Sequence, residues 1–377
     1  YRGAAFRIPG ISKWMVVVSG HKMIEELKKA PDDQVSFLEA AADSIQTVHT
    51  LGAEVYHDPY HVPVIRSALT RHLVACFPEV QDELAMAFAE RLPPNEEWTS
   101  MTVLPTVMQI VSRTSNRMFV GLPLCRNVDY QSLNITFTID VMKAAQIINL
   151  FPNILKPLAG HFLSDVPTTV NRAMRHLEPI ILERLRQEEQ YGKEWSGKPN
   201  DFLSWLIDQA EGEQRTPRQL TMRILSTNFA AIHTTSMAFT QVLLNLAAYP
   251  SHVPELREEV EVIKEEGLTK ISLNKMRKVD SFVKESMRLG SGSAISMQRK
   301  VLKDFTFSDG TFVPKGHVIA VASFATHHDE ENYSDPNVFD GFRFARMSDS
   351  ENEAFNRHQA VTLSSDYVVF GNGRHAW

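Results

Sequence analysis

The chain has 377 residues, 43% of them hydrophobic and 22% charged, with a net charge of -6. That balance excludes a disordered or collagenous chain, and lysines and arginines scattered without runs leave no electrostatic footprint for nucleic acid. Only two cysteines occur, Cys76 and Cys125, with no CxxC spacing, which argues against a disulfide framework or structural zinc and for a reducing compartment.

In chain order, Phe6 to Ile8 and Trp14 to Val18 flank Pro9-Gly10 and predict two short strands joined by a turn. Helices are predicted near His21 to Ala30, Val62 to Ala75, Pro78 to Leu92, Ser100 to Phe119 and Val170 to Glu189. Others are predicted near Asp201 to Glu211, Pro217 to Tyr249 and Glu255 to Glu266. The segment opened by Thr216-Pro217 runs unbroken to Pro250, which at ~1.5 Å per residue makes a rod of roughly 45–50 Å. Beyond it, Phe305 to Val313 alternates around Asp309-Gly310, a hairpin signal, and Pro314-Lys315-Gly316 makes a second turn. No window approaches the ~20 apolar residues of a membrane span. The chain starts at Tyr1 without a methionine, so an upstream segment is left open.

Glu285 and Arg288 lie at i, i+3 and meet on one helix face, as do Glu183 and Arg186. Either pair alone reads as a solvated surface ion pair. Order sets the first pair apart. It is followed by the hairpin, by His328-Asp329, Asp335-Pro336, Phe339 and Phe342-Arg343-Phe344, and then by Phe370-Gly371-Asn372-Gly373-Arg374-His375-Ala376. The glycine pair is not read as a phosphate loop, because no helix follows it.

This succession resembles the C-terminal half of a cytochrome P-450, over residues 215 to 377 and more loosely over the rest. The resemblance implies a mainly α-helical fold with small antiparallel β-sheets, as a single domain over residues 1–377 that is incomplete at both ends. It implies a haem cofactor, O2, an NADPH-dependent reductase as partner and a small apolar substrate. It also implies an N-terminal membrane anchor outside this chain and a place on the cytoplasmic face of the endoplasmic reticulum. The phrases Ala230 to Thr235 and Tyr60-His61-Val62-Pro63 are closest to fungal secondary-metabolite members, including the ent-kaurene-oxidase-like group, which points to a terpenoid.

Residue by residue, Glu285, Arg288 and Arg343 match the family's buried structural triad. Arg66, Arg299 and His375 match propionate-binding positions, and Phe370 matches the aromatic that packs on the porphyrin. Ala230-Ala231-Ile232-His233-Thr234-Thr235 matches the oxygen-activation segment, with Thr234 as the proton-delivering threonine and His233 where an acid is usual. His233 reads equally as a proton relay or as a hydrogen-bonded core residue, and Thr234 and Thr235 could simply bond back to the helix. The thiolate belongs seven residues after Phe370, where Trp377 stands, and an indole cannot replace it. Gly290-Ser291-Gly292-Ser293 replaces a proline-containing stretch, and Gly341 stands where a proline is usual. The rival expectation is therefore a truncated, non-catalytic remnant that binds no haem as a thiolate enzyme. An Asp-rich terpene cyclase site is not supported, since Asp32-Asp33 lies in a loop-like stretch.

Overall fold

The β-branched run Trp14–Val18 forms strand β2, antiparallel to β1 (Ala5–Pro9), with Phe6 opposite Val17. The computed structural model describes residues 2–10, 14–290, 292–350 and 358–376. They fall into two units, one of residues 1–43 with 241–377 and one of residues 44–240.

In the first unit, Val35–Ser36 is β3, Ser296–Val301 is β4, Phe305–Thr306 is β5, Phe312–Val313 is β6 and Val318–Val321 is β7. Five of them make a sheet in the order β1-β2-β7-β4-β3, antiparallel except for β2 against β7, while β5 and β6 form the anticipated hairpin. Alternation along β4 buries Met297, Arg299 and Val301 on one face, so one face of the sheet builds a core with Val18, Ile24, Leu27 and Ile319. Helix Arg277–Gly290 presents Phe282, Glu285 and Arg288 inward.

The second unit is helical. Its longer helices are Thr70–Arg91, Val103–Phe119, Val128–Ile148, Val166–Tyr191 and Pro217–Ala248, the last running on past residue 240. Leu133, Phe137, Ile148, Leu177, Phe202 and Ile224 are fully enclosed in its core. No helix among the described residues is long and apolar enough to cross a membrane.

Two expectations need correction. The break expected at Pro78 is absent, since Thr70–Arg91 is one helix with Pro78 inside it. The lost hydrogen bond and ring clash cost about 3 kcal/mol, opposed by burial of Cys76 and Ala87 on either side of the proline, while the buried Glu83 is paired with Arg113 and Arg126. Helix Val128–Ile148 was not anticipated, although Asn127 caps it by accepting the Tyr130 amide and Tyr130, Leu133, Phe137, Val141, Ala144 and Ile148 line one face.

Candidate active site

In the first unit, Glu285 and Arg288 are fully enclosed and joined by two hydrogen bonds of 2.8 Å, from Arg288 Nε to Oε2 and from Nη2 to Oε1. Arg343 Nε donates to the same Oε1 at 3.2 Å. Backbone carbonyls take further guanidinium donors: His327 and Pro336 for Arg288, Ser334, Asp335 and Val338 for Arg343. Every charge in this cluster is met, the condition under which a buried ion network is tolerated. Glu183 and Arg186, at the same spacing, sit on the surface.

The loop Phe370–Ala376 depends on its glycines. Gly371 and Gly373 both have φ +78, and a Cβ on Gly373 would fall 2.9 Å from Lys28 Cγ. Asn372 is buried, and its side chain accepts the Gly373 amide. Arg374 donates to Asp32 at 3.2 Å, and His375 Nε2 lies 2.6 Å from the same oxygen. Burial alone would raise the Asp32 carboxyl, but hydrogen bonding by His375 and the charges of His375 and Arg374 hold it below its ordinary value.

Arg299 and His375 meet across Phe37. The Arg299 guanidinium lies 5.5 Å from the Phe37 ring centre, and the His375 ring lies 5.8 Å from it on a tilted approach. Arg299 is 4% exposed, yet it forms no ion pair among the described residues. Its Nη1 donates only to the neighbouring Gln298 carbonyl. Burial pushes its pKa down to about 10, against the pull of Asp32.

The second unit carries the other anticipated residues. Arg66 is exposed on a π-helical turn, Ile65–Leu69. In helix Pro217–Ala248, Thr234 is exposed and its hydroxyl donates to the Ala230 carbonyl at 2.6 Å. Ser226, Thr227 and Ser236 make the same bond to the residue four before. The half-buried His233 places Nε2 2.9 Å from the Ile135 carbonyl, and Thr235 is exposed. Trp377 lies outside the described residues.

Sequence reasoning missed Phe37 and Asp32 as parts of this site. Both precede the residues they contact by more than 250 positions, and neither carries a local signal.

The mainly α-helical fold with small β-sheets is that of the haem-dependent monooxygenases. The family model Cytochrome P450 matches residues 1–376, so the chain belongs to the cytochrome P450 family. Cytochrome P450 monooxygenase 110 of Postia placenta is 48% identical over 98% of this chain and 75% of its own length. Cytochrome P450 monooxygenase CYP512U6 of Ganoderma lucidum is 33% identical over 100% of this chain and 74% of its own length. Among solved structures, retinoic acid bound cyanobacterial CYP120A1 matches in fold with a TM-score of 0.71 at 20% identity, over 99% of this chain and 79% of that one. The protein is accordingly a haem-dependent oxidative enzyme of fungal type that acts on an apolar substrate with O2.

The residues present fit one side of a haem. A buried guanidinium without a counter-charge is costly, and the Arg299 fork suits a propionate carboxylate. They supply no axial thiolate. Cys76 donates to the Asn200 carbonyl at 3.5 Å, Cys125 is enclosed in a 3₁₀ turn, and burial raises both thiols, that of Cys125 to about 11. Neither belongs to the Phe370–Ala376 loop.

Proposed function

We propose that this protein oxidises an apolar secondary metabolite of the terpenoid class, in the manner of the ent-kaurene-oxidase-like group. The observation that carries the haem reading is Arg299, a buried cation beside the glycine loop that has no ion pair among the described residues. Haem held by a thiolate supplies reductive activation of O2 and transfer of one oxygen atom. In this reading Arg299 and His375 orient the cofactor's carboxylates, and Phe370 packs against its plane. Arg66 adds a further cation for those carboxylates. Glu285, Arg288 and Arg343 hold the scaffold beneath the loop.

Thr234 holds a proton at Oγ1. Rotation about χ1 would release that proton from the Ala230 carbonyl and make it deliverable. Thr235 is the adjacent hydroxyl. His233 is anchored to the Ile135 carbonyl and positions this turn of the helix. The two units are read as one domain of residues 1–377, supported by a single family match over residues 1–376.

Electrons come from an NADPH-dependent reductase, and the protein acts at the cytoplasmic face of the endoplasmic reticulum through a segment outside this chain. The chain spans about three quarters of the relatives' length. The test is the full-length protein with reductase, NADPH and ¹⁸O2, offered ent-kaurene. Label in an oxidised diterpene supports the reading, and NADPH-independent or unlabelled product overturns it. In the same assay Thr234→Ala should lower product formed per NADPH consumed, and Thr234→Ser should restore it.

A further inference from the structure

Away from these residues, the second unit holds a cavity of about 380 Å³ among three helices and the segment Val48–Glu54. Its floor is apolar and buried: Leu51, Val166, Val170 and Met222 are each at most 7% exposed. Its rim is polar. His49, His161, Arg218 and Gln219 face the same space, and among the described residues none has a side-chain hydrogen bond or ion pair. Gly160 forms part of the wall, and a Cβ there would lie 3.2 Å from both the His49 Cβ and the His49 carbonyl. Helix Lys156–Phe162 therefore closes directly onto the His49 turn.

We propose that this cavity binds a small amphipathic carboxylate, its apolar body on the valine-methionine floor and its acid group at Arg218. Sites of about 300–1,000 Å³ with an apolar lining and a few convergent polar groups are typical of small-molecule binding. Three observations select an anion. Arg218 is an unpaired guanidinium at the rim, and guanidinium binds carboxylate through two parallel hydrogen bonds. The first turns of two long helices, Val166–Tyr191 and Pro217–Ala248, both line the cavity, and helix N-termini favour negative charge. Burial, followed by the charge of Lys156, lowers the His49 pKa, so a second cation is felt at the same wall. Glu54 is the one acid among the lining residues, and Arg218 is the one arginine. The inference does not rest on the haem reading, because it uses none of the residues assigned there.

The experiment is calorimetry on the full-length protein with three probes of one shape: 4-phenylbutyrate, 4-phenylbutanol and 4-phenylbutylamine. The acid should bind, the alcohol at least about tenfold more weakly, and the amine not measurably, the difference reflecting a charge-assisted hydrogen bond. Arg218→Gln, at an exposed position, should weaken the acid about tenfold. Val170→Trp should fill the floor and abolish its binding, with circular dichroism confirming the fold. Equal binding of acid and alcohol overturns the proposal, as does no binding of the acid. Acid binding that survives both substitutions while shifting the haem absorption band places the ligand at the haem instead, and also overturns it.

Discussion

Val368 donates its amide hydrogen to Nε2 of His327 over 3.1 Å, tying the irregular segment that leads into Phe370–Ala376 to the residue whose carbonyl accepts from Arg288. The imidazole must be neutral to accept. It is fully enclosed, and burial, reinforced by the Arg288 charge, pushes its pKa down to about 3.

A pH dependence follows from that pair. In the unfolded chain the same ring takes up a proton near pH 6.5, so below that pH the unfolded state binds more protons than the folded one. The stability contributed by the neutral ring is complete above about pH 6.5 and is lost as pH falls toward about 3. His327→Gln keeps an acceptor for Val368 and removes the titration. Its urea midpoint should fall less between pH 7 and pH 4.5 than that of the parent. Equal falls would exonerate the histidine.

Glu285 compensates two buried guanidiniums at once. Glu285→Gln leaves both Arg288 and Arg343 without a counter-charge, at a cost of about 3–5 kcal/mol. The measurement is equilibrium urea unfolding, with soluble yield as a second readout. Glu183→Gln removes an acid at the same spacing from an arginine on an exposed face, and its midpoint should not move. Similar losses in the two variants would show that spacing, and not enclosure, governs the effect.

Sequence order marked the triad because all three members lie in recognisable local contexts. The hairpin at Asp309-Gly310 and the long helix after Thr216 were legible for the same reason, since turn and cap chemistry act within a few residues. Helix Val128–Ile148 was missed despite its Asn127 cap and its apolar positions at helical spacing, because its β-branched and aromatic content dilutes the helical signal. The Arg299–Phe37–His375 arrangement was only half legible. Arginine and histidine could be matched to motifs, whereas Phe37 reaches them through the pairing of β3 with β4, a non-local event.

Gly341 illustrates a departure that the structure explains. The resemblance leads to the expectation of a proline there, but a Cβ at this position would lie 2.6 Å from Phe282 Cδ2 and 2.8 Å from His252 Cδ2. Those two rings pack edge to face with Phe339, and Tyr249 stacks on Phe339 with ring centres 4.4 Å apart. The aromatic cluster thus fills the space a proline ring would take. Gly341→Ala should destabilise by about 1–3 kcal/mol through overpacking. Adding Phe282→Leu should recover part of the loss, a coupling that a double-mutant cycle in urea would read. Strict additivity would mean that the two side chains do not compete for the space.

Arg299 makes opposite demands on the protein with and without its cofactor. Without haem it is a buried cation held by one backbone carbonyl and a ring face, so its desolvation is poorly repaid. Arg299→Met keeps a similar volume and removes the charge, and with it a desolvation cost that little offsets. The haem-free full-length variant should therefore melt at or above the parent's temperature. With haem the sign reverses, because the carboxylate partner of the guanidinium is gone and the cofactor should dissociate faster. Transfer of haem to apomyoglobin measures that rate, and calorimetry of the haem-free protein measures the stability. A variant destabilised in both states would show that Arg299 is a packing residue with no stake in the cofactor.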